Sequence, residues 1–150
     1  MKFFRSIACA ICLASLTATA AHALEFKSVG AAPAILYDAP SEKGRKVFVA
    51  PRGMPVEIVL TYGEWSKVRD AGGDLSWVES KILTSKRNVV VHVASAKVRA
   101  AADDAGALVF TADKGVLLEL SEPTIASVWL KVRHRDGQSG YVKAVDVWGD

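Results

Sequence analysis

The sequence predicts an all-β protein, two small β-barrels in tandem behind a cleaved signal peptide. Three observations carry this. The chain opens on a short charged and apolar leader, its remainder repeats itself once, and each repeat alternates apolar and polar residues between Gly- and Pro-containing turns.

The leader comes first. Lys2 and Arg5 form a positive start, Ile7 to Leu16 are mostly apolar, and Ala21-His22-Ala23 offers small residues for a peptidase. The pattern is that of a secretory signal peptide over residues 1–23, cleaved between Ala23 and Leu24. An uncleaved anchor is the alternative, but no long apolar run continues past Ala23. Both cysteines, Cys9 and Cys12, lie within the apolar stretch rather than directly after a cleavage box, which argues against lipidation. The chain from Leu24 on has no Cys, and hence no disulfide, thiolate nucleophile or Cys-ligated metal.

The whole chain has 150 residues and a formal net charge of +3. Without Lys2 and Arg5, 17 basic residues face 16 acidic ones. So balanced a charge does not suit a nucleic-acid binder. No later stretch is apolar enough to cross a membrane, so no stable membrane insertion is expected after cleavage. The expected location is periplasmic or secreted.

The repeat sets the domain organisation. Val47-Phe48-Val49-Ala50-Pro51-Arg52-Gly53 returns as Val109-Phe110-Thr111-Ala112-Asp113-Lys114-Gly115, 62 residues on. Glu57 matches Glu119 at the same offset. Trp65-Ser66-Lys67-Val68-Arg69 returns as Trp129-Leu130-Lys131-Val132-Arg133 at an offset of 64. Gly73 matches Gly137, and Trp77-Val78 matches Tyr141-Val142. The two extra residues fall between Glu122 and Ser127, in a turn, where length changes are tolerated. The polar run Thr84 to Asn88 separates the copies, giving modules at 24–84 and 85–150. Units of this size are marginal alone, which predicts a shared interface.

Within each module the elements follow in order. Val56, Ile58 and Leu60 alternate with Glu57 and Val59 after a Gly-Met-Pro turn, and Leu118 and Leu120 flank Glu119. This places Glu57 and Glu119 on the solvent side. The Trp-x-Lys-Val-Arg segments are strands, Asp70 to Asp74 and His134 to Gln138 are turns, and Trp77-Val78 and Tyr141-Val142 lie in the returning strands. Val89 to Val93 is a β-branched run suited to open the second module.

A Lys/Arg-Gly turn, an alternating Val-Glu-Ile strand, Trp-x-Lys-Val-Arg, a Gly turn and an aromatic-Val pair together resemble the bacterial SH3-like (SH3b) domain family. The first module carries the resemblance on Arg52, Gly53, Pro55 to Ile58, Trp65, Lys67 to Asp70, Gly73, Trp77 and Val78. The second carries it on Lys114, Gly115, Trp129, Lys131 to Arg133, Gly137 and Gly140 to Val142. The arrangement is similar to tandem SH3-like proteins exported by proteobacteria, which implies two tandem SH3-like small β-barrels. The family often has Val-Arg-x-Gly-Pro early in the module. Here the first copy has Leu36-Tyr37-Asp38-Ala39-Pro40, and the second has Val98-Arg99-Ala100-Ala101-Ala102. Ser76 stands where a Gly is expected, whereas Gly140 is kept. The resemblance implies a binding or targeting module for peptidoglycan or peptide segments, not a catalyst.

The residues agree on catalysis. Beyond the leader only His92 and His134 remain, at non-equivalent places, and no nucleophile elbow, phosphate loop or paired-His motif occurs. The expectation is no enzyme, no metal and no cofactor. Strand period places Trp65, Lys67 and Arg69 on one face, and Trp129, Lys131 and Arg133 likewise. Tyr37 and Trp77 extend the first face, with Tyr141 matching Trp77. An aromatic ring beside two cations suits an extended ligand carrying carboxylates, such as peptidoglycan or a peptide or protein segment. Alternatively, the Trp rings pack on the barrel edge beneath Lys and Arg stems. Two functions follow: an envelope-binding module, or a periplasmic subunit that docks a protein through a sheet edge or the inter-module surface. If one copy binds, the first, richer in aromatics, is the expected one.

Overall fold

A computed structural model describes residues 23–122 and 127–150. The expected signal peptide, apart from Ala23, lies outside the described residues, as does most of the lengthened turn before Trp129.

The described residues form fourteen strands and two single 3-10 turns. The first module holds β1 (Glu25–Val29), β2 (Ala34–Tyr37), β3 (Lys46–Ala50), β4 (Pro55–Tyr62), β5 (Trp65–Arg69), β6 (Leu75–Glu79) and β7 (Leu83–Thr84). The second holds β8 (Asn88–Val91), β9 (Ser95–Arg99), β10 (Leu108–Asp113), β11 (Leu117–Leu120), β12 (Trp129–Arg133), β13 (Ser139–Lys143) and β14 (Val147–Trp148). The sheet orders are β3-β2-β6-β5-β4-β1-β7 and β10-β9-β13-β12-β11-β8-β14, so the repeat extends to the topology. Every pairing is antiparallel.

The all-β architecture in two tandem SH3-like units is the one expected from sequence, with each sheet not fully closed. β3 and β7 remain edges in one sheet, β10 and β14 in the other. The Pro51–Met54 turn crosses the gap from β3 to β4 without a ladder, and it bonds instead to Val29 at the end of β1. Barrel closure needs strands to stagger until the two edges meet; here a turn fills that place.

Each sheet wraps one aliphatic core. Val29, Ala34, Leu36, Ala50, Val56, Val68 and Val78 form the first. Val89, Val91, Val98, Leu118, Leu130, Val132, Val142 and Val147 dominate the second. Neither core contains a fully buried aromatic ring. Small side chains fill the narrow interior between strongly twisted strands, so the large rings go to the outer face and to the junction between modules.

The alternation assigned to β4 holds only in part. Val56 and Glu57 are both buried, whereas Val59 and Leu60 are exposed. A register shift between Ile58 and Leu60 against β5 turns Leu60 outward, since one extra residue sends the following side chains to the other face. Glu57 keeps its outer-face position and is covered there between Phe26 of β1 and Arg69 of β5. Glu57 is therefore not a solvent-facing alternate.

The modules meet across a sealed junction. Phe26 stands edge-on to Trp148, ring centroids 5.1 Å apart. The Arg87 guanidinium lies 5.5 Å from the Phe26 ring centre and donates to the Gly149 carbonyl at 2.8 Å. Asn88 Nδ2 donates to the Gly53 carbonyl at 2.9 Å. Gly149 has φ 114°, and a Cβ there would come within 2.9 Å of Pro55. The chain thus needs Gly149 both for its backbone conformation and for the close approach.

Candidate functional site

Strand alternation orients the proposed face as expected. In β5, Trp65, Lys67 and Arg69 are half-buried while Ser66 and Val68 are buried. In β12, Trp129 and Lys131 are half-buried and Arg133 exposed, over buried Leu130 and Val132. The apolar members of each pair complete the core, which leaves the Trp and cations on the outside.

In the first module, four of the expected residues come together. Tyr37 in β2 pairs across from Trp77 in β6, and Lys67 in β5 pairs with Trp77 from the other side. The Tyr37 and Trp65 rings meet edge-to-face at 5.6 Å. The Lys67 ammonium lies 5.8 Å from the Trp77 ring centre. The result is an aromatic floor of three rings with one cation over it. Ring faces of this kind offer contact area at low entropic cost, and the half-exposed cation stays available to a ligand.

Arg69 is engaged elsewhere. It makes two hydrogen bonds to Glu57, at 2.8 and 3.1 Å, and so neutralises a carboxylate that is nearly buried. Both bonds come from the single Nη1 nitrogen, and this charge-assisted contact compensates Glu57 for lost hydration.

The second module has committed its cations similarly. Arg133 donates to Glu119 at 3.1 Å, and Lys86 takes the other oxygen at 3.0 Å. The Lys86 hydrogen bond, above all, holds the Glu119 carboxyl below its ordinary value; burial opposes it and Arg133 assists. Lys131 pairs with Glu122 at 2.9 Å, and this raises the lysine above its ordinary value. Lys131 also faces Tyr141 across the ladder, as Lys67 faces Trp77.

Trp129 belongs to a different grouping. A cleft of about 310 Å³ lies beside it, lined among others by Lys97, Arg99, Asp104, Lys143 and Asp146. Lys143 is cross-strand from Trp129, with its ammonium 5.5 Å from the ring centre. It also pairs with Asp104 at 2.7 Å, and this hydrogen bond is the chief cause of the lowered Asp104 pKa. Sequence reasoning noted Arg99 only as a family feature and did not assign these flanking charges to a site. The available signal was the period-two pattern Ser95, Lys97, Arg99 on the outer face of β9.

The histidines have local partners. His92 Nε2 hydrogen-bonds the Val145 carbonyl at 2.8 Å. His134 Nδ1 sits 3.1 Å from the Asp136 carboxylate, and its ring centre is 5.8 Å from that of Phe110. Among the described residues, no group of three or more His, Cys, Asp or Glu is placed to hold a metal ion. No helix there is long and apolar enough to cross a membrane.

A further exposed apolar feature is an edge. In β3, Val47, Phe48 and Val49 are all exposed, and among the described residues the outer side of the strand has no ladder partner.

Solved structures similar to the chain include NlpC2 and NlpC1 from Trichomonas vaginalis, at 11% and 12% identity and TM-scores of 0.40 and 0.39. The alignments cover 85% of this chain and 49% and 46% of theirs, so the chain spans about half their length. No curated protein sequence matches it. The bacterial SH3 domain model matches twice, over residues 30–85 and 86–149. The chain belongs to the bacterial SH3 domain family and carries that domain in two consecutive copies.

Proposed function

We propose that the protein is a non-enzymatic, exported binding module of the cell envelope that recognises peptidoglycan or extended peptide segments. The observation that carries this reading is the outer face of the first module, where Tyr37, Trp65 and Trp77 make a floor beneath Lys67. An extended peptide or sugar chain can lie on such a floor, with a carboxylate near the lysine. Trp129 and Lys131 continue the same strand positions in the second module. Arg69 and Arg133 act from behind, holding Glu57 and Glu119. The reading takes residues 1–23 as the signal peptide, with modules at 24–84 and 85–150. β7 pairs back to β1 before the division and β8 pairs with β11 after it, which fits those limits. Catalysis has little to draw on. Asp104 is held ionised by Lys143 and is thus a poor proton donor near neutral pH.

Co-sedimentation of the purified protein with isolated sacculi tests this. The protein is expected to pellet with sacculi, and Trp65→Ala with Trp129→Ala to weaken binding about tenfold, as loss of a central aromatic contact does. Failure of the unmodified protein to sediment overturns the proposal. Undiminished binding by the double variant overturns the site.

A second reading is favoured by β3. Its exposed Val47-Phe48-Val49 edge can accept a strand from a partner protein. In-cell crosslinking that yields one dominant protein partner through β3, and none through Trp65, would replace the wall ligand with that protein.

A further inference from the structure

The two modules present opposite electrostatics at equivalent places. Tyr37 and Arg99 are equivalent, because each pairs with the returning strand, at Trp77 and Tyr141. Trp65 and Trp129 are equivalent, facing Glu79 and Lys143. By the same alignment Lys97 replaces Ile35, and Asp146 replaces Ile82 at the end of the matching 3-10 turn. Asp104 and Glu42 match in the loop before β10 and β3. The first module therefore has two carboxylates and no cation at these six places. The second has three cations and two carboxylates around its Trp.

Not all of these charges neutralise one another. Lys143 and Asp104 are paired. Arg99 uses one nitrogen on the Gly106 carbonyl at 2.9 Å and keeps its other donors. Lys97 is exposed, and neither it nor Asp146 makes an ion pair among the described residues. The cleft thus offers two cations from alternate positions of β9, one carboxylate from the 3-10 turn, and the Trp129 indole. Alternate strand positions lie about 7 Å apart on one face, a spacing at which both side chains reach one carboxylate.

We infer that this cleft is a receptor for a zwitterionic α-amino-acid group borne on an acyl-linked stem. Lys97 and Arg99 take its carboxylate, Asp146 takes its ammonium, and Trp129 receives the stem. The inference extends the reading of the chain as a binding protein, and it does not depend on the wall being the ligand.

The test is titration of the isotope-labelled full chain, followed by NMR at the Trp129 indole N–H. The probes are Nε-acetyl-lysine, its α-carboxamide, and Nα,Nε-diacetyl-lysine. Nε-acetyl-lysine is expected to shift the Trp129 signal at millimolar concentration, and either single-charge probe to bind at least about fivefold more weakly. Lys97→Ala and Asp146→Asn are each expected to weaken the first probe by about fivefold, with the spectrum otherwise retained. Lys114→Ala, a cation outside the cleft, leaves it unchanged. Free alanine tests the stem, with about tenfold weaker binding expected; equal affinity would make a free amino acid the ligand and remove Trp129 from the site. Equal affinity for the diacetylated probe would make the cleft a plain anion site and overturn the inference, as would an unmoved Trp129 signal. Sacculus binding with a silent probe defeats this inference alone. Probe binding without sacculus binding defeats the wall reading alone.

Discussion

Gly140 should be irreplaceable, whereas Ser76 at the matching position should not be. A Cβ built on Gly140 would lie 2.5 Å from the Arg99 carbonyl oxygen and 2.8 Å from Val98 Cγ1. Ordinary van der Waals contact begins near 3.4 Å, so β9 and β13 would have to part by most of an ångström. The obstructing atom is backbone in the middle of a sheet, and it cannot swing aside. Overpacking of this kind costs roughly 1–3 kcal/mol, and a backbone clash belongs at the upper end. Gly140→Ala should thus destabilise the protein by about 3 kcal/mol. With a urea slope of about 1–3 kcal/mol/M, that lowers the unfolding midpoint by at least about 1 M. Ser76 is buried in β6 without such an obstruction, so Ser76→Gly should cost only about 1 kcal/mol, mostly through backbone entropy. Urea unfolding followed by tryptophan fluorescence measures both. A Gly140→Ala midpoint within 0.3 M or so of the parent would refute the steric argument. A second readout is specific to the site: because Arg99 carries the blocked carbonyl, the variant should also lose response to Nε-acetyl-lysine.

Two other predictions concern the scaffold. Glu119 is held below its ordinary value near 4.5 in the folded chain, chiefly by Lys86. Its contribution is then complete above that value and lost as pH falls through the lower folded value. Thermal midpoints between pH 6 and 3 should fall below about pH 4.5, and Glu119→Gln should flatten that fall; an unchanged slope would dismiss the pairing as a stabiliser. Phe26 is 7% exposed at the junction, packed against Trp148 and Arg87. Phe26→Ala should cost about 3 kcal/mol and split one urea transition into two; a single transition with a loss under about 1 kcal/mol would mean the junction contributes little.

The sequence made the strands, the duplication and the outward Trp-Lys face legible, because alternation is a local property. It did not reveal the fate of Arg69. That depends on which β4 residue lies opposite, and the register shift between Ile58 and Leu60 decides this. The burial of Glu57 was hidden for another reason: alternation places it on the outer face correctly, but Phe26 and Arg69 on the neighbouring strands cover it there. The cleft at Trp129 was hidden for a different cause. Its charges come from β9, the loop after it, β13 and a 3-10 turn, and only the folded sheet brings them together. The junction residues Phe26 and Trp148 are far apart in sequence, and no periodicity links them. The tandem small-sheet architecture was legible, whereas strand count and turn spacing do not say whether the last edges meet.

The junction also changes how two weak sites would act on one polymer. Only Ser85 to Arg87 separate β7 from β8, and Arg87 and Asn88 are themselves bonded into the junction. A loose linker would let the second face search a volume, with a local concentration set by chain length. Here the second face is held in place instead. On the proposed reading, any gain in avidity would depend on whether the ligand repeats at the distance the protein fixes, so the pair would act as a ruler. Polymers whose recognised groups recur at that spacing would be retained, and chemically identical monomers released.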